Sequence, residues 1–494
     1  MNEIQKTDAA REVDSLIIGS GFGGIGMAIR LEQAGRHDFL VLEKAGSLGG
    51  VWRDNTYPGA ACDVPSHLYS FSFARHYDWS RRFAEQREIL GYLEYCARHF
   101  GISNRLRYDH EVTRAVFDEA TGRWLVSCTN GSRFSARTLI TATGQLSRPA
   151  IPQLPGRERF TGRQFHSAEW DHDYPLEGKR VAVIGTGASA IQFVPRVATQ
   201  ATGLLLFQRS APYVVSKPDR VWRSWQRTLM RRLPWLQDLD RLYIYLLYET
   251  RVFGFAISNA LLKFYELSFR RQLRRQISDP ALRARLQPDY PMGCKRILLA
   301  NDYYSALARD NVEVIDKPIR ELDEGAVIDA DGQRHPVDAL IWGTGFAATE
   351  FLAPMNIQGR DGITLDDAWA QGAEAYKGIS VSGFPNLFIL YGPNTNLGHS
   401  SIIHMLESQF HYVLQGLNLL DRDNLRWIDV RKDVQHDFNR RLQQRLTRTI
   451  WARDCHSWYK TEDGRNTNNW SGFTLTYRAL TRTLKQDDYE FRSH

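Results

Sequence analysis

The stretch Ser15-Leu-Ile-Ile-Gly-Ser-Gly-Phe-Gly-Gly24 decides how the chain is expected to fold. Its first half is a short apolar run that predicts a buried strand, and its glycines predict a tight turn. A helical pattern of apolar residues follows, and the next apolar run, Phe39-Leu-Val-Leu42, predicts a second strand. A strand, a glycine turn, a helix and a second strand in this order form the first unit of a dinucleotide-binding fold.

The residues around this turn also predict what it binds. Gly19, Gly21 and Gly24 allow the backbone to turn tightly and to approach a pyrophosphate at the helix N-terminus, where free N–H groups point. The second strand ends in Glu43, which is placed to accept hydrogen bonds from ribose hydroxyls. Because an acid repels a 2′-phosphate, the first unit is predicted to bind FAD or NAD.

A second unit of the same kind begins at Arg180-Val-Ala-Val-Ile-Gly-Thr-Gly-Ala-Ser-Ala190. The next apolar run, Leu204-Leu-Leu-Phe207, leads to Arg209, which follows its glycine turn by 24 positions, as Glu43 follows the first turn. An arginine there pairs with a 2′-phosphate by charge and bidentate hydrogen bonds. The second unit is therefore predicted to bind NADP, and the chain to be a flavin and NADPH enzyme. The turn residues expected to contact this cofactor are Gly185, Thr186, Gly187 and Ser189.

Two more apolar runs end in glycine turns, Leu139-Ile-Thr-Ala-Thr-Gly144 and Ala339-Leu-Ile-Trp-Gly-Thr-Gly345, and they predict crossings between domains. The expected fold class is α/β, with two Rossmann-like dinucleotide-binding domains, for FAD and NADP, and a helical insertion. The domain ranges expected are 1–147 and 345–494 for FAD, the latter with a C-terminal loop, 148–212 and 293–344 for NADP, and 213–292 for the insertion.

The segment 213–292 has a pattern that allows two interpretations. In its first helix Trp222, Trp225 and Leu229 share one face and alternate with arginines, and Pro234 ends that helix. A longer apolar helical region follows and ends in four more arginines. One interpretation is a helical subdomain that packs on the NADP domain with its arginines in solvent. The other is weak contact with a membrane surface, which would bring the enzyme to apolar substrates.

Composition and charge exclude several classes of protein. The 494 residues are 43% hydrophobic and 24% charged, which is typical of a folded chain. The formal net charge is +7, but no nucleic-acid motif accompanies it, and dinucleotide cofactors explain it better. No apolar run approaches the ~20 residues of a membrane helix. The five cysteines are scattered without a CxxC, so we expect no metal site, no dithiol centre and a reduced chain in the cytoplasm.

Two long gapped patterns point to a family. The stretch Phe160-Thr-Gly-Arg-Gln-Phe-His-Ser-Ala-Glu-Trp-Asp171 fits FxGxxxHxxxW followed by Pro or Asp. The stretch Gly49-Gly-Val-Trp-Arg-Asp-Asn-Thr-Tyr-Pro-Gly-Ala-Ala-Cys-Asp63 fits A/G-G-x-W-x-x-x-x-F/Y-P-G/M-x-x-x-D at every fixed position. In these stretches the chain resembles the Baeyer–Villiger monooxygenases, which are class B flavoprotein monooxygenases. The resemblance extends through Cys294-Lys-Arg296 and Tyr391-Gly-Pro-Asn394 to Trp470, and is weakest in the helical segment and at the C-terminus.

The resemblance implies a reaction. NADPH reduces FAD, the reduced flavin reacts with O₂ to give a C4a-peroxyflavin, and this species attacks an apolar ketone, which rearranges to an ester or lactone. Because negative charge develops during the attack, a fixed positive charge is needed nearby, and family matching puts that role on Arg296. Asp63 is implied as the carboxylate that orients the guanidinium through charge-assisted hydrogen bonds.

Further roles are implied by the same resemblance. Lys295 is expected to join Arg209 and Ser210 on the 2′-phosphate. For His166 a hinge function is favoured over direct proton transfer. Trp470 is expected on a loop that closes over the cofactor, with a surface-loop aromatic as the alternative. The residues expected around the flavin are Gly50, Trp52 (for which ordinary core packing is the alternative), Tyr57, Asp63 and Asn394, and the hinge fingerprint comprises Phe160, Gly162, His166, Trp170 and Asp171.

Two other functions stay open at the level of the sequence. A flavin monooxygenase that oxygenates nitrogen or sulfur nucleophiles shares both nucleotide units, but it matches the pattern that begins at Phe160 less well. A non-oxygenating flavoprotein is the second alternative, either a disulfide reductase or an NADPH-binding sensor. The lack of a CxxC argues against a reductase, and a sensor has no need of Arg296 and Asp63.

Overall fold

The computed structural model describes residues 10–75, 78–257, 262–453 and 457–494. Its larger sheet is built around β1 (Arg11–Ile18), which runs parallel to β2 (Phe39–Leu42) on one side and to β6 (Arg133–Thr141) on the other. Helix α1 (Phe22–Gln33) connects β1 to β2 and buries most of its apolar residues. The other strands of this sheet are β3 (Leu106–Arg107), β4 (Val112–Asp118), β5 (Arg123–Cys128), β17 (Asn356–Gln358) and β18 (Leu387–Ile389). The strand order is β17-β4-β5-β6-β1-β2-β3, and β18 pairs with β6.

The second sheet is parallel throughout. Its strands, in order across the sheet, are β12 (Val312–Ile315), β9 (Gly203–Phe207), β8 (Arg180–Ile184), β16 (Ala339–Trp342) and β7 (Arg163–His166). Helix α4 (Ala190–Gln200) connects β8 to β9 and packs its apolar face on them. Both predicted strand–turn–helix–strand units are thus present, and the predicted α/β class with two Rossmann-like units is confirmed.

Smaller elements surround these sheets. The short strands are β10 (Val214–Val215), β11 (Leu298–Leu299), β13 (Ile319–Leu322), β14 (Ala326–Asp329), β15 (Arg334–Pro336), β19 (Leu425–Val430) and β20 (Tyr489–Ser493). β10 and β11 pair in parallel, whereas β13-β14-β15 and β19-β20 pair antiparallel. The remaining helices outside the insertion are α2 (Val51–Asp54), α3 (Gln86–His99), α9 (Tyr303–Leu307), α10 (Leu365–Ala368), α11 (Ile402–Arg422), α12 (Lys432–Leu446) and α13 (Thr474–Thr481).

In the described part of the segment that the sequence predicted as helical, 213–257 and 262–292, there are four α-helices. They are α5 (Ser224–Arg232), α6 (Trp235–Glu249), α7 (Leu262–Gln276) and α8 (Pro280–Arg285). Pro234 lies between α5 and α6, where its ring and missing N–H are expected to end a helix. After α6 the chain forms a π-helical turn over Phe253–Ile257.

Within the described part of the chain, none of the helices is long and apolar enough to cross a membrane, and no group of His, Cys, Asp and Glu side chains is arranged to hold a metal ion. Cys62, Cys96 and Cys128 are buried free thiols. Cys294, in contrast, is disulfide-bonded, so the prediction of a wholly reduced chain is wrong at this position.

Candidate active site

The first glycine turn is shaped to bring backbone N–H groups to a phosphate. Gly19 has a φ of +99°, and a Cβ added there would lie 2.6 Å from the carbonyl oxygen of Ala142. A Cβ on Gly24 would overlap the carbonyl of Gly19. Gly21 begins α1 without a side-chain cap, so no side chain satisfies the N–H groups of the first helical turn. A pyrophosphate fits this position because it accepts those N–H groups.

The carboxylate of Glu43, just after β2, is held by hydrogen bonds and an ion pair with neighbouring residues of the protein. Its Oε2 accepts hydrogen bonds from the backbone N–H and hydroxyl of Ser20, at 3.0 and 2.6 Å. Its Oε1 accepts from the backbone N–H of Ala45 at 3.0 Å and pairs with the Nη1 of Arg53 at 2.9 Å. Ser20 and Arg53 were not predicted from the sequence. These four donors occupy the lone pairs of the Glu43 carboxylate. A ribose hydroxyl can therefore bind Glu43 by displacing the Ser20 hydroxyl or by donating to the same oxygen, Oε2.

The segment from Gly49 to Asp63 lies across the first turn and reaches the second unit. A Cβ on Gly50 would be 3.2 Å from the Cα of Gly21, so this segment passes close to the phosphate turn. The Nε1 of Trp52 donates to the hydroxyl of Tyr69 at 3.1 Å. The hydroxyl of Tyr57 donates to Gln192 of α4 at 2.9 Å. Tyr57 therefore connects the two nucleotide-binding units.

The second glycine turn repeats the geometry of the first. Gly185 has a φ of +110°, and a Cβ there would overlap the carbonyl of Gly343. A Cβ on Gly187 would meet no atom within 4 Å, which leaves room for a phosphate. The hydroxyl of Thr186 donates to the carbonyl of Ser210 at 3.1 Å, and Ser189 begins α4 without a side-chain cap. The residues present therefore fit a second dinucleotide.

Arg209, Ser210 and Lys295 form a polar cluster beside this turn. The Nζ of Lys295 donates to the hydroxyl of Ser210 at 2.9 Å and lies 4.3 Å from the ring centroid of Tyr290. Burial, and then the charge of Arg209, lower the pKa of Lys295. Arg209 is exposed and has no acidic partner among the residues that the structure describes. Because Arg209 and Lys295 lie close together and Arg209 has no acidic partner in the described part of the chain, the pair favours a dianionic ligand such as a 2′-phosphate.

The central contact of the site joins Arg296 to Asp63. The Nε and Nη2 of Arg296 donate to the same oxygen, Oδ2 of Asp63, at 2.9 and 2.6 Å. The two side chains are 29% and 27% exposed. Burial favours the neutral acid, but the charge and hydrogen bond of Arg296 and the charge of Lys217 prevail and lower the pKa of Asp63. The carboxylate in turn raises the pKa of Arg296, so both groups stay charged at neutral pH.

The thiol of Cys62, next to this pair, is unreactive at neutral pH. Cys62 is 4% exposed, and burial together with the charge of Asp63 raises its pKa to about 12. A thiolate is the reactive form of cysteine, so Cys62 does not provide a nucleophile at neutral pH.

The fingerprint stretch forms a packed turn at the edge of the second sheet. His166 is fully buried at the end of β7, and its Nδ1 accepts the backbone N–H of Ala168 at 3.1 Å. Burial lowers the pKa of His166. Trp170 packs on Phe165 and Phe193, while Asp171 pairs with Arg163. A Cβ on Gly162 would be 2.6 Å from the ring of Phe160.

Asn394 and Trp470 belong to two segments that pair with each other. The Nδ2 of Asn394 donates to the carbonyls of Asn466 and Asn469, at 2.8 and 3.2 Å. The backbone N–H of Trp470 donates to the carbonyl of Asn396 at 2.9 Å. Trp470 is only 3% exposed, so it is a core residue of this region and not a surface-loop aromatic.

Comparisons with known proteins agree with this geometry. A family model described as pyridine nucleotide-disulphide oxidoreductase matches residues 16–222. A Baeyer-Villiger monooxygenase from Pseudomonas aeruginosa is 46% identical over 483 residues, which cover 97% of this chain and 92% of that protein. This chain belongs to the Baeyer–Villiger monooxygenase family. A Baeyer-Villiger monooxygenase from Streptomyces coelicolor is 45% identical and covers 96% of the chain, with 92% of its own length matched.

Solved structures support the same placement. A closed cyclohexanone monooxygenase has a TM-score of 0.89 at 26% identity, with 98% of this chain and all of the other covered. An oxidized steroid monooxygenase bound to NADP has a TM-score of 0.87 at 30% identity over the same shares. The resemblance inferred from the two gapped sequence patterns is thus confirmed.

Three charged or polar side chains near the ion pair of this Baeyer–Villiger family member were missed from the sequence. Lys217 follows β10, with its Nζ 4.9 Å from the ring centroid of Phe83, and its charge acts on Asp63. Tyr391 and Tyr459 both interact electrostatically with Arg296. Tyr391 lies in a stretch quoted for the resemblance, so that stretch was a usable signal. No local pattern marks Lys217 or Tyr459.

Proposed function

We propose that the chain is an FAD-containing monooxygenase that uses NADPH and O₂ to convert apolar ketones to esters or lactones. One oxygen atom of O₂ enters the product beside the carbonyl carbon. The other leaves as water, for which NADPH supplies two electrons as hydride and the solvent supplies one proton. The Arg296–Asp63 pair carries this proposal, because it places a permanent cation between the two nucleotide-binding units. Similar structures include cyclohexanone monooxygenases, one of which has cyclohexanone bound.

We assign the two cofactors to the two units. FAD is bound by the first unit, within 1–147 and 345–494, and NADP by the second, within 148–212 and 293–344. The insertion comprises 213–292. The uncapped N-termini of α1 and α4 support this division, because each faces a glycine turn with room for a phosphate. Glu43 and Arg209 then give the two sites opposite charges.

Arg296 provides the fixed positive charge of the reaction. FAD, when bound and reduced, supplies the activation of O₂. The Arg296 guanidinium cannot lose its proton at working pH, so it stabilises the negative charge that develops on the carbonyl oxygen of the ketone. Asp63 acts as a positioning residue, since it holds both the Nε and the Nη2 of that guanidinium.

Nucleotide binding is coupled to this charge through the backbone. Lys295 and Arg296 are neighbours in sequence, but Lys295 points to Ser210 and Arg296 to Asp63. A 2′-phosphate held by Lys295 therefore restrains the segment that also positions Arg296. The bound nucleotide thus helps to order the catalytic centre, besides supplying hydride in its reduced form, NADPH.

Product analysis tests the proposed function. The purified, FAD-loaded enzyme is given NADPH and O₂ with linear, cyclic and aromatic ketones and one sulfide, and the products are identified by gas chromatography–mass spectrometry. Ester or lactone in proportion to the NADPH oxidised is the expected result. Sulfoxide as the sole product would favour an oxygenase of nitrogen and sulfur nucleophiles instead.

We also propose that the enzyme acts in the cytoplasm, on the ground that Cys62, Cys96 and Cys128 are free thiols, although the disulfide at Cys294 is unusual for that compartment. Protease added to intact cells is expected to leave the enzyme uncut, and protease added after lysis to degrade it. Cleavage in intact cells would contradict this location.

A further inference from the structure

Helix α6 is turned with its apolar face outward. Its exposed residues, which define the α6 face, are Trp235, Leu239, Leu242, Tyr243, Leu246 and Leu247, each between 43% and 60% exposed. Their spacing of three or four residues places them on one side of the helix. A helix on the surface of a folded protein normally buries such a side, because burial of apolar area stabilises the fold. The α6 face is instead exposed to solvent.

The other side of α6 is anchored to the interior by the buried side chains of Ile244 and Tyr248 and by several polar contacts. Asp240 accepts a hydrogen bond from the Nδ1 of His67 at 2.6 Å. Arg241 donates to the carbonyls of His67 and Ser70, at 2.7 and 2.9 Å. Glu249 accepts from the backbone N–H and the hydroxyl of Thr474, at 3.0 and 2.8 Å. Turning the helix over would break these bonds and leave the buried polar groups of His67, Ser70 and Thr474 without partners, so the outward apolar face is fixed by the fold.

Helix α5 extends this surface and adds positive charge. Trp225 and Leu229 are 60% and 40% exposed, and Leu233, just after the helix, is 39% exposed. The same nine-residue helix and its N-cap contain four arginines, which are Arg223, Arg227, Arg231 and Arg232. Among the described residues, 14 of the 20 large apolar side chains that are exposed fall between Val221 and Leu267. Single exposed leucines are ordinary on proteins, whereas a concentration of this kind marks an interaction site.

The chemistry of this surface selects its partner. Tryptophan and tyrosine rings, leucines and arginines together are the composition of helices that lie in the interface of a bilayer. Arginine side chains are long enough to reach lipid phosphates while the apolar side chains enter the acyl region. Arg231 pairs with Asp78, whereas the other three arginines have no acidic partner among the described residues, so a neutral apolar partner would leave those three without counter-charges. Charge complementarity therefore favours an anionic phospholipid surface.

The same helix leads toward the catalytic centre. Beyond the α6 face, Tyr248 is buried and close enough to Asp63 to interact with its charge. The ring of Phe255, in the π-helical turn after α6, stacks on Trp451 with centroids 6.0 Å apart. Phe255 shares its apolar cluster with Trp470. Packed apolar residues thus lie between α6 and the region of the ion pair.

We propose that α5 and the α6 face dock on an anionic phospholipid bilayer, from which the enzyme takes up apolar substrate. The docking stands on the exposed surface alone, whereas the uptake of ketone rests on the proposed function. A failure of docking can be told apart from a failure of the proposed function, because binding to vesicles is measured without turnover.

Sedimentation with vesicles tests the docking. The FAD-loaded full chain is mixed with vesicles of phosphatidylcholine and phosphatidylglycerol, and with vesicles of phosphatidylcholine alone, at low and high salt. We expect binding to the mixed vesicles that weakens with salt, because the arginine contribution is screened. The variant L239S/L242S/L246S is expected to bind at least about tenfold more weakly. The control variant L125S/I363S removes exposed apolar side chains elsewhere and is expected to bind like the native chain.

Three outcomes would overturn the proposal. The first is no sedimentation of the native chain with either vesicle, and the second is equal binding to neutral and mixed vesicles. The third is a dimer of the native chain that dissociates in the triple-leucine variant without any vesicle binding, which would assign the surface to a second copy. Retained FAD absorbance and far-ultraviolet circular dichroism show that each variant is folded. The exposed leucines are changed without altering the buried side of α6.

Discussion

Arg296 donates two hydrogen bonds to a single carboxylate oxygen of Asp63, although 233 positions separate the two residues in the chain. This contact joins the segment that follows the first glycine turn to the segment that leads into β11. A guanidinium held at two of its nitrogens cannot rotate freely, so its remaining N–H groups keep a fixed direction. The direction in which the positive charge points is thus set by the fold before any substrate arrives.

Replacing Asp63 by Asn is expected to slow the reaction by about 100-fold, because the guanidinium loses its fixed direction. FAD absorbance should be retained, since Asp63 is not in the phosphate turn. Steady-state turnover with a converted ketone is the measurement. A variant that turns over at the native rate would remove Asp63 from the positioning of Arg296.

The pH dependence of this pair has a definite sign. Because the folded pKa of Asp63 is lowered, the stability that the ion pair contributes is present above the ordinary pKa of aspartate and is lost as pH falls through the folded value. The difference in thermal stability between the native chain and Asp63→Asn should therefore be constant around neutral pH and shrink only in acid. A difference that changes between mildly acidic and neutral pH would contradict this assignment.

Changing Arg209 or Lys295 to Ala is expected to raise the KM for NADPH by roughly 10- to 100-fold, since each removes a charge-assisted hydrogen bond to the 2′-phosphate. The KM for NADH should change little in both variants. Arg422→Ala is a matched control, because Arg422 is exposed and, in the described part of the chain, pairs with no acid other than its neighbour Asp423. Equal changes for NADPH and NADH would exclude the 2′-phosphate from this cluster.

Gly24→Ala is expected to abolish retention of FAD or to unfold the first unit, because the added Cβ overlaps the carbonyl of Gly19. Gly91→Ala, inside α3, adds a Cβ where no atom lies within 4 Å and should stabilise the chain by about 0.5–1 kcal/mol. Flavin absorbance and thermal unfolding of both variants are compared. Full FAD occupancy in Gly24→Ala would show that this turn is not the flavin site.

His166→Asn is expected to retain activity across neutral pH, since an asparagine oxygen can also accept the N–H of Ala168. Burial lowers the pKa of His166, so its ring is neutral around neutral pH. A fall of kcat in mild acid should therefore not be caused by protonation of His166. His166→Ala removes the acceptor and should reduce kcat. An acid limb that is present in the native enzyme and absent from His166→Asn would instead support direct proton transfer.

The sequence predicted the elements whose pattern is local. β8 runs from Arg180 to Ile184 as expected, because four buried apolar residues after Arg180 precede a glycine turn. β1 begins earlier than expected, at Arg11, because its polar first residues pair with Phe134 and Ser135 of β6. Such pairing is not visible in an isolated polar stretch.

The site was predictable only in part for the same reason. The glycine turns, Glu43 and Arg209 follow from local spacing, whereas the pairing of Arg296 with Asp63 came from the family resemblance. The orientation of α6 was not predictable, because its buried partners His67 and Thr474 lie far away in the chain. An apolar stripe in the sequence shows that a helix has an apolar face, but it does not show whether that face is buried or exposed.

The most direct test of the central claim uses Arg296→Ala, loaded with FAD and supplied with NADPH, O₂ and a ketone that the native enzyme converts. The quantity measured is the ester or lactone formed per NADPH oxidised. We expect FAD to stay bound and NADPH to be consumed with release of hydrogen peroxide, but without ester or lactone. A native yield of ester from this variant would contradict the account.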